Sequence, residues 1–483
     1  MFTPCAPWLA VLLLAAGLAA DEAPAPPGKR PWGAGGDRRQ ISAAQQQGQP
    51  ADVAAAMATA KRNRGRWLGC PDAAIRYAPV AGRAPIAAEI LADWKQVYAT
   101  ALARIPTDRP IPARAWGYTA LGAYAARQSG AQVDATALDR FAELAESTQY
   151  ADANAPWPPL RTPGMYAYVV VAEDDPWFDG TAVSSTSLGR VLLELADKRP
   201  GLTAVFDAGP WAGRRFAIAD VDPPDWLDGG AAYDHGIAGV AMIEAAIQHA
   251  DPLIRRRRLA SARLACDWAI AEPAVVNANY TAKLVWLLAT MYALDGAAAD
   301  RTALLDKLDR AVLPGVLMDA DRDGQVDGVP GCRFADLTAV ARVPGRLWDG
   351  HNARPVYHAM IAQAVTAAYA ALRDRGDVDH AARIKPYALA LLDNLAAEIN
   401  RQGVPDSGTG LIPFAVLHGL WSIDRAEGTR TAAWREALAR LWEAGRFRSG
   451  MEGSGALGLL LLEASATPYR SLPQRWQDTG VAP

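Results

Sequence analysis

The chain has 483 residues, of which 51% are hydrophobic and 21% are charged, and its formal net charge is -3. This composition is typical of a globular protein with a large core, and the length allows one large domain or two domains. The small net charge excludes a general attraction to nucleic acid, so any binding of an anion must be local.

The N-terminal residues contain the apolar run WLAVLLLAAGLAA, Trp8 to Ala20, which ends in small residues before Asp21. This pattern predicts a signal peptide over residues 1–20, although the usual positive charges ahead of the run are missing. The run is too short for a membrane span, and no later stretch is long and apolar enough for one. We therefore expect a periplasmic or secreted protein with no membrane span.

The segment that follows, residues 21–50, is rich in proline, glycine and glutamine, which predicts a flexible N-terminal segment. From residue 51 onwards, apolar residues recur at helical spacing in segment after segment. The predicted helices cover residues 85–104, 115–128, 135–147, 184–198, 235–249, 255–271, 278–294, 300–313, 353–374, 378–399, 410–423, 431–446 and 454–465. A strand pattern occurs only near Met165–Asp175, so the chain is predicted to be all-α.

The predicted helices come in pairs, with a long polar loop on one side of each pair and a shorter connection on the other. This alternation is typical of helical hairpins that stand side by side, either in an open solenoid or in a closed toroid of inner and outer helices. No repeat of fixed length is visible, which disfavours the solenoid. We expect residues 51–483 to form a single catalytic domain, an (α/α) toroid or barrel of about six or seven helical hairpins.

The first group of candidate functional residues lies in a long loop, which ends where a helix is predicted to begin, near Gly236. Its candidate residues are Trp226, Asp228, Tyr233, Asp234 and His235. Asp234 can polarise His235 for catalysis, or it can simply cap the helix. Trp226 and Tyr233 are candidate substrate-binding residues, because aromatic rings offer flat faces to a sugar.

The second candidate group lies in Val275–Tyr292, where Asn277, Asn279, Tyr280 and Lys283 precede an apolar helix. Asparagine holds a carboxylic acid through neutral hydrogen bonds, which matters when the carboxyl group must carry enolate-like charge. We therefore predict a catalytic role for Asn279 and substrate binding by Asn277 and Tyr280. Either asparagine is equally well suited to cap the helix.

The segment Asp319–Gly328 has the D-x-D-x-D-G spacing of a calcium-binding loop. Its candidate ligands are Asp319, Asp321, Asp323 and Asp327. The bidentate glutamate of a regular EF-hand is missing, since Pro330 occupies its place, so an acidic surface turn is the alternative. A calcium ion in this loop would be structural, and no cofactor is expected for catalysis.

The third group of candidate functional residues lies in the stretch RLWDGHNARPVYHAMIAQAV, Arg346–Val365. The polar residues at the start of this stretch are followed by an apolar helix. Asn352 is a good N-cap, and Pro355 is tolerated only in the first turn of a helix. We therefore expect this helix to begin near Ala353.

On such a helix Arg354, Tyr357 and His358 share one face, and Trp348 and His351 lie in the loop before it. An arginine beside the positive end of a helix makes a strong site for a carboxylate. The same positive charge favours the phenolate of Tyr357, which can then carry a proton. The simpler alternative is that Tyr357 and His358 pack in the core while Arg354 pairs with a surface acid.

The sequence ARPVYHAMIAQAV resembles the R-A-L-x-Y-H region of alginate lyases built on (α/α) barrels, and NANYTAKLVW lies where the Asn-His helix start of that family would fall. The resemblance implies that Tyr357 is base and acid, that Arg354 neutralises the substrate carboxylate and that Asn279 binds the carboxyl group. Arg354 is one residue closer to the tyrosine than in the family pattern, and no histidine follows Asn279. His351 or His235 would have to replace that histidine.

A uronate needs its carboxylate neutralised before the adjacent carbon gives up a proton, and the predicted groups provide both functions. We therefore expect a polysaccharide lyase that cleaves a uronic-acid-containing polymer by β-elimination, with an acidic polysaccharide and no nucleic acid as partner. One alternative is an (α/α)-barrel glycoside hydrolase that uses paired acids in loops. Its candidate acids are Asp228, Asp234, Asp349 and Glu452. A glycan-binding toroid without activity is the other alternative.

Overall fold

The computed structural model describes residues 76–104, 113–149, 164, 166, 169–172, 203–205, 215–219, 230–271, 278–313, 355–406, 410–429, 431–448 and 450–481. Within these residues 80% are helical and little sheet is present, which confirms the prediction of a mainly helical chain. None of the helices in this described part is long and apolar enough to cross a membrane.

Thirteen helices lie in the described residues. They are α1 (Ala87–Arg104), α2 (Ala113–Gln128), α3 (Ala135–Thr148), α4 (Gly230–Gln248), α5 (Pro252–Ala271), α6 (Ala278–Asp295), α7 (Ala298–Lys307), α8 (Pro355–Asp374), α9 (Val378–Gln402), α10 (Leu411–Gly419), α11 (Ala432–Glu443), α12 (Gly450–Ala464) and α13 (Leu472–Gln477). Helices α7 and α10 continue as the π-helical segments Leu308–Val312 and Leu420–Arg425.

Helices α1 to α12 confirm every predicted helix except the one over residues 184–198, which lies outside the described residues. The short helix α13 was missed, although Ser471 and Gln474 form a capping box at its start. Helix α8 covers Pro355–Asp374, and Ala353, where it was expected to begin, lies outside the described residues.

The prediction that a loop extends to Gly236 is wrong, because α4 already begins at Gly230. Tyr233, Asp234 and His235 therefore lie inside a helix. Gly236 was interpreted as the start of the helix, but its role is packing: a Cβ there would lie 2.3 Å from the carbonyl oxygen of Lys283 on α6. The glycine permits two helices to approach closely, which local sequence patterns do not reveal.

Five short strands accompany the helices in the described residues. Strands β2 (Val169–Ala172), β3 (Thr203–Val205) and β4 (Arg215–Ala219) form an antiparallel sheet in the order β2-β4-β3, and only β2 was predicted. Strand β1 (Tyr77–Ala78) pairs antiparallel with β5 (Val404–Pro405), which follows α9. This pair joins the chain ahead of α1 to the end of α9.

The even-numbered helices contact one another in cyclic order: α2 packs against α4, α4 against α6, α6 against α8, α8 against α10, α10 against α12, and α12 against α2. The odd-numbered helices α1 to α11 each pack against one or more of these six. The even-numbered helices are buried on nearly all sides, and in α6 only Tyr280, Thr290 and Asp295 are less than fully buried. A helix that is apolar all round is expected in the centre of a protein.

The contacts between the even-numbered helices join residues at similar distances from the helix starts. Gly236 of α4 meets Lys283 of α6, and Gly122 of α2 meets Gly458 of α12. Gly410, just before α10, meets Glu452 in the first turn of α12. The even-numbered helices therefore run in the same direction, with their N-terminal ends at one end of the molecule.

Candidate functional site

The predicted site residues that the structure describes all lie near the N-terminal ends of three even-numbered helices. They are Tyr233 and His235 on α4, Asn279 and Tyr280 on α6, and Tyr357 and His358 on α8. The other predicted site residues lie outside the described residues: Trp226, Asn277, Trp348, His351, Arg354, Asp319, Asp321, Asp323 and Asp327. We call the shared N-terminal end of the even-numbered helices the mouth.

Below the mouth, a lysine side chain lies between the even-numbered helices. Lys283 of α6 is fully buried, and its Nζ donates to the Tyr118 hydroxyl at 3.1 Å and to Gln363 Oε1 at 3.0 Å. The same Nζ lies 5.4 Å from the ring centre of Tyr233 and 5.0 Å from that of Trp286. Side chains of α2, α4, α6 and α8 therefore converge on one ammonium group, which attracts the negative faces of aromatic rings.

Sequence reasoning included Lys283 among the polar residues of α6 but gave it no role, and it missed Tyr118 and Gln363. A single lysine inside the apolar run YTAKLVWLL was the available signal. Lysine is almost never fully buried unless polar groups surround it, so such a lysine indicates a polar cluster in the core. Which residues complete the cluster depends on helix packing.

Tyrosines lie between Lys283 and the mouth. Tyr233 and Tyr280 pack edge to face with their ring centres 6.0 Å apart, and Tyr280 is partly exposed. Tyr357 is also partly exposed and lies six residues before Gln363 on α8, about 9 Å nearer the helix start. Asn279 is fully buried in the first turn of α6. The structure thus brings Tyr233 and Tyr280 together above Lys283, with Tyr357 at the rim.

The two predicted histidines point away from this cluster, towards odd-numbered helices. His235 is buried, donates from Nε2 to the Ala265 carbonyl on α5 at 2.9 Å, and accepts the Tyr166 N–H at Nδ1. His358 is also buried and donates from Nε2 to the Leu391 carbonyl on α9 at 2.7 Å. These contacts favour a structural role for both histidines, as bridges between inner and outer helices.

Burial lowers the pKa of His235 to about 4, because a charged imidazole loses its hydration in the core. The unfolded chain protonates this histidine near its ordinary pKa of 6.5, so unfolding binds a proton at any pH between these two values. We therefore expect the free energy of unfolding to fall as the pH falls from about 7.5 to 5, by about 2 kcal/mol for this histidine. Urea denaturation across this pH range measures the effect.

His418 on α10 has its pKa lowered to about 4 by burial and by the charge of Lys283, so it contributes to the same pH dependence. The variant His235→Gln should therefore keep only about half of the pH-dependent loss of stability. An unchanged pH dependence in that variant would contradict the assignment of His235 as a buried neutral group.

Two acids that sequence analysis placed in loops lie in helices instead. Asp234 is 3% exposed within α4, and Glu452 lies in the first turn of α12. The loop assignment is wrong for both, because α4 begins before Asp234 and α12 begins at Gly450. Asp228 and Asp349 lie outside the described residues.

Within the described residues no group of three or more His, Cys, Asp or Glu side chains is arranged to hold a metal ion. The four aspartates of the predicted calcium loop lie outside that part of the chain. The chain matches no family model, no curated protein and no solved structure.

Proposed function

We propose that the chain is a polysaccharide lyase on a closed (α/α) toroid, and that it cleaves a uronic-acid-containing polymer at the mouth. The toroid is supported by the cyclic contacts from α2 through α12 back to α2, with an odd-numbered helix beside each member of the ring. Six helical hairpins account for these twelve helices, within the range expected from the sequence.

The functional proposal rests on one observation: Tyr233 contacts both Lys283 and Tyr280 close to the N-terminal ends of the six even-numbered helices. Each N-terminus presents free N–H groups and the positive end of the helix dipole, and these fields add where parallel helices begin at the same end. The ammonium group of Lys283 has the same sign. These groups favour a negatively charged substrate at the mouth, although Asp234 and Glu452 bring two carboxylates to the same helix ends.

Elimination needs a base beside the carbon next to the carboxylate and a cation that stabilises the developing enolate. We assign the base to Tyr357, which is partly exposed at the start of α8. Arg354 directly precedes that helix in the chain, and we assign it to the substrate carboxylate. Tyr280, which is partly exposed, offers an aromatic face to a sugar ring, whereas Tyr233 is buried and supports the ring of Tyr280. His235 and His358 have structural roles.

The proposal includes a periplasmic or secreted location and a structural calcium ion. These two parts depend on the sequence alone, on residues 1–20 and on Asp319–Asp327.

The decisive experiment follows absorbance near about 235 nm, where the unsaturated uronates formed by elimination absorb. The purified protein is incubated with alginates, glucuronans, pectates and glycosaminoglycans, with and without calcium. We expect absorbance to rise on one of these polymers. New reducing ends without this absorbance would contradict the lyase and indicate a hydrolase, and binding without either product would indicate a glycan-binding protein.

A further inference from the structure

A cavity lies at the opposite end of the even-numbered helices from the mouth. Its volume is about 150 Å³, and all six even-numbered helices line it, mostly with residues from their second halves. The C-terminal segment from Tyr469 to Arg475 completes the wall. The space is not fully enclosed, so a small molecule can enter it from solvent.

The wall of the cavity combines small and aromatic side chains. Alanines of α6 and α8, among them Ala293 and Ala370, leave the space free, and Trp286, Phe414 and Trp421 provide flat apolar faces. The rings of Trp286 and Phe414 pack edge to face with centres 5.9 Å apart. A flat ring therefore matches the shape of this wall better than a flexible chain does.

The charged residues of the wall are all neutralised by partners. Glu244 accepts two hydrogen bonds from Arg475, and Asp374 accepts one from the Tyr469 hydroxyl at 2.6 Å. Asp374 also pairs with Arg373, and Arg470 pairs with Asp478. A charged guest would be buried without a counter-ion, so the cavity favours an uncharged one.

Two side chains of the wall contain a buried polar atom without a hydrogen-bond partner in the part of the chain that the structure describes, His418 and Tyr124. Nδ1 of His418 itself is inaccessible to solvent, but the side chain as a whole is partly exposed where it lines the cavity. Burial and the nearby charge of Lys283 lower the pKa of this histidine to about 4, so its ring is neutral at pH 7. A neutral imidazole provides one donor and one acceptor nitrogen.

We propose that this cavity is a second binding site, for an uncharged aromatic compound of about the size of phenol that carries a single hydroxyl group. The ring packs against Trp286, Phe414 and Trp421, and the hydroxyl group hydrogen-bonds to His418. Apolar cavities of this volume take up benzene, so the size is sufficient. A hexose is disfavoured because each of its hydroxyl groups needs a partner that this largely apolar wall does not supply.

Access to the cavity lies beside Trp421. Gln128, Trp421, Arg470 and Arg475 line both the cavity and a neighbouring groove of about 340 Å³. Trp421 belongs to the π-helical segment Leu420–Arg425. Such segments within helices are frequent at functional sites, which agrees with a binding role for this part of α10.

Calorimetry and thermal unfolding of the full chain test the proposal with phenol, toluene and glucose. We expect phenol to bind about tenfold more tightly than toluene, because only phenol makes the hydrogen bond, and to raise the Tm. Glucose should have no effect. Absence of phenol binding, or tighter binding of glucose than of phenol, would overturn the proposal. The result does not depend on lyase activity.

Two variants locate the site. His418→Phe keeps a ring of similar size and should reduce the preference for phenol over toluene to about one. Ala370→Leu should fill the cavity and abolish binding of both compounds, whereas Ala260→Leu at an exposed position of α5 should change neither. Should circular dichroism show that Ala370→Leu is unfolded, Ala293→Val takes its place. Unchanged phenol affinity in a folded cavity-filling variant would place the ligand elsewhere and refute the assignment.

Discussion

Replacing Tyr357 by phenylalanine is expected to lower kcat for uronate elimination by two to four orders of magnitude, roughly the contribution of a well-placed general acid–base group. The substitution removes only the hydroxyl group that takes the proton from the substrate. Tyr357 is partly exposed at the start of α8, so the phenyl ring should keep the packing of the tyrosine. The initial rate of absorbance increase near about 235 nm, measured on the best polymer of the panel, gives the effect.

The matched control is Tyr387→Phe, a partly buried tyrosine on the outer helix α9. This variant should keep the wild-type rate, because it makes the same chemical change on an outer helix that is not one of the six whose N-terminal ends form the mouth. Full activity of Tyr357→Phe would refute the assigned role. If Tyr280→Phe lost activity instead, the base would have to be sought on α6.

A second large effect is expected from Gly458→Ala, which should lower the free energy of unfolding by about 3 kcal/mol or more. A Cβ at this position would lie 1.9 Å from the carbonyl oxygen of Gly122. Both groups belong to helix backbones, so neither can move without separating α12 from α2. This contact joins the last even-numbered helix to the first, and urea denaturation measures its contribution.

Gly239→Ala on α4 is the corresponding control, because it places the same methyl group on another buried even-numbered helix. The new Cβ would lie 2.6 Å from Leu287 Cδ1, the end of a side chain that can rotate away. Alanine also favours a helix over glycine by up to about 1 kcal/mol, which offsets part of the strain. Equal stability of the two variants would show that the approach of α2 to α12 is not critical.

The positions of the helices were predictable because helical periodicity is a local property of the chain. The predicted starts of α3 and α9 coincide with those of the structure, and the main error, at α4, came from interpreting Gly236 as a helix start. A glycine at a turn and a glycine at a close helix contact look alike in one sequence. Only the position of α6 beside α4 distinguishes them.

The candidate site was predictable to a lesser degree. Polar residues at helix starts indicated the mouth, but His235 and His358 were assigned to it although their rings face α5 and α9. On a helix that is buried all round, apolar periodicity no longer identifies an inner and an outer face. The direction of a histidine on such a helix therefore depends on its neighbours.

By itself, the sequence determined the helical class, the limits of most helices and the concentration of polar residues at three helix starts, because each depends on residues within a few turns of one another. The tertiary structure decided what those residues do. Tyr118, Lys283 and Gln363 lie far apart in the chain, and they meet because α2, α6 and α8 pack side by side. The cavity beside His418 likewise exists only because six helices and the C-terminal segment together form its wall. Contacts between distant segments follow from how whole helix surfaces fit together, which no local pattern specifies.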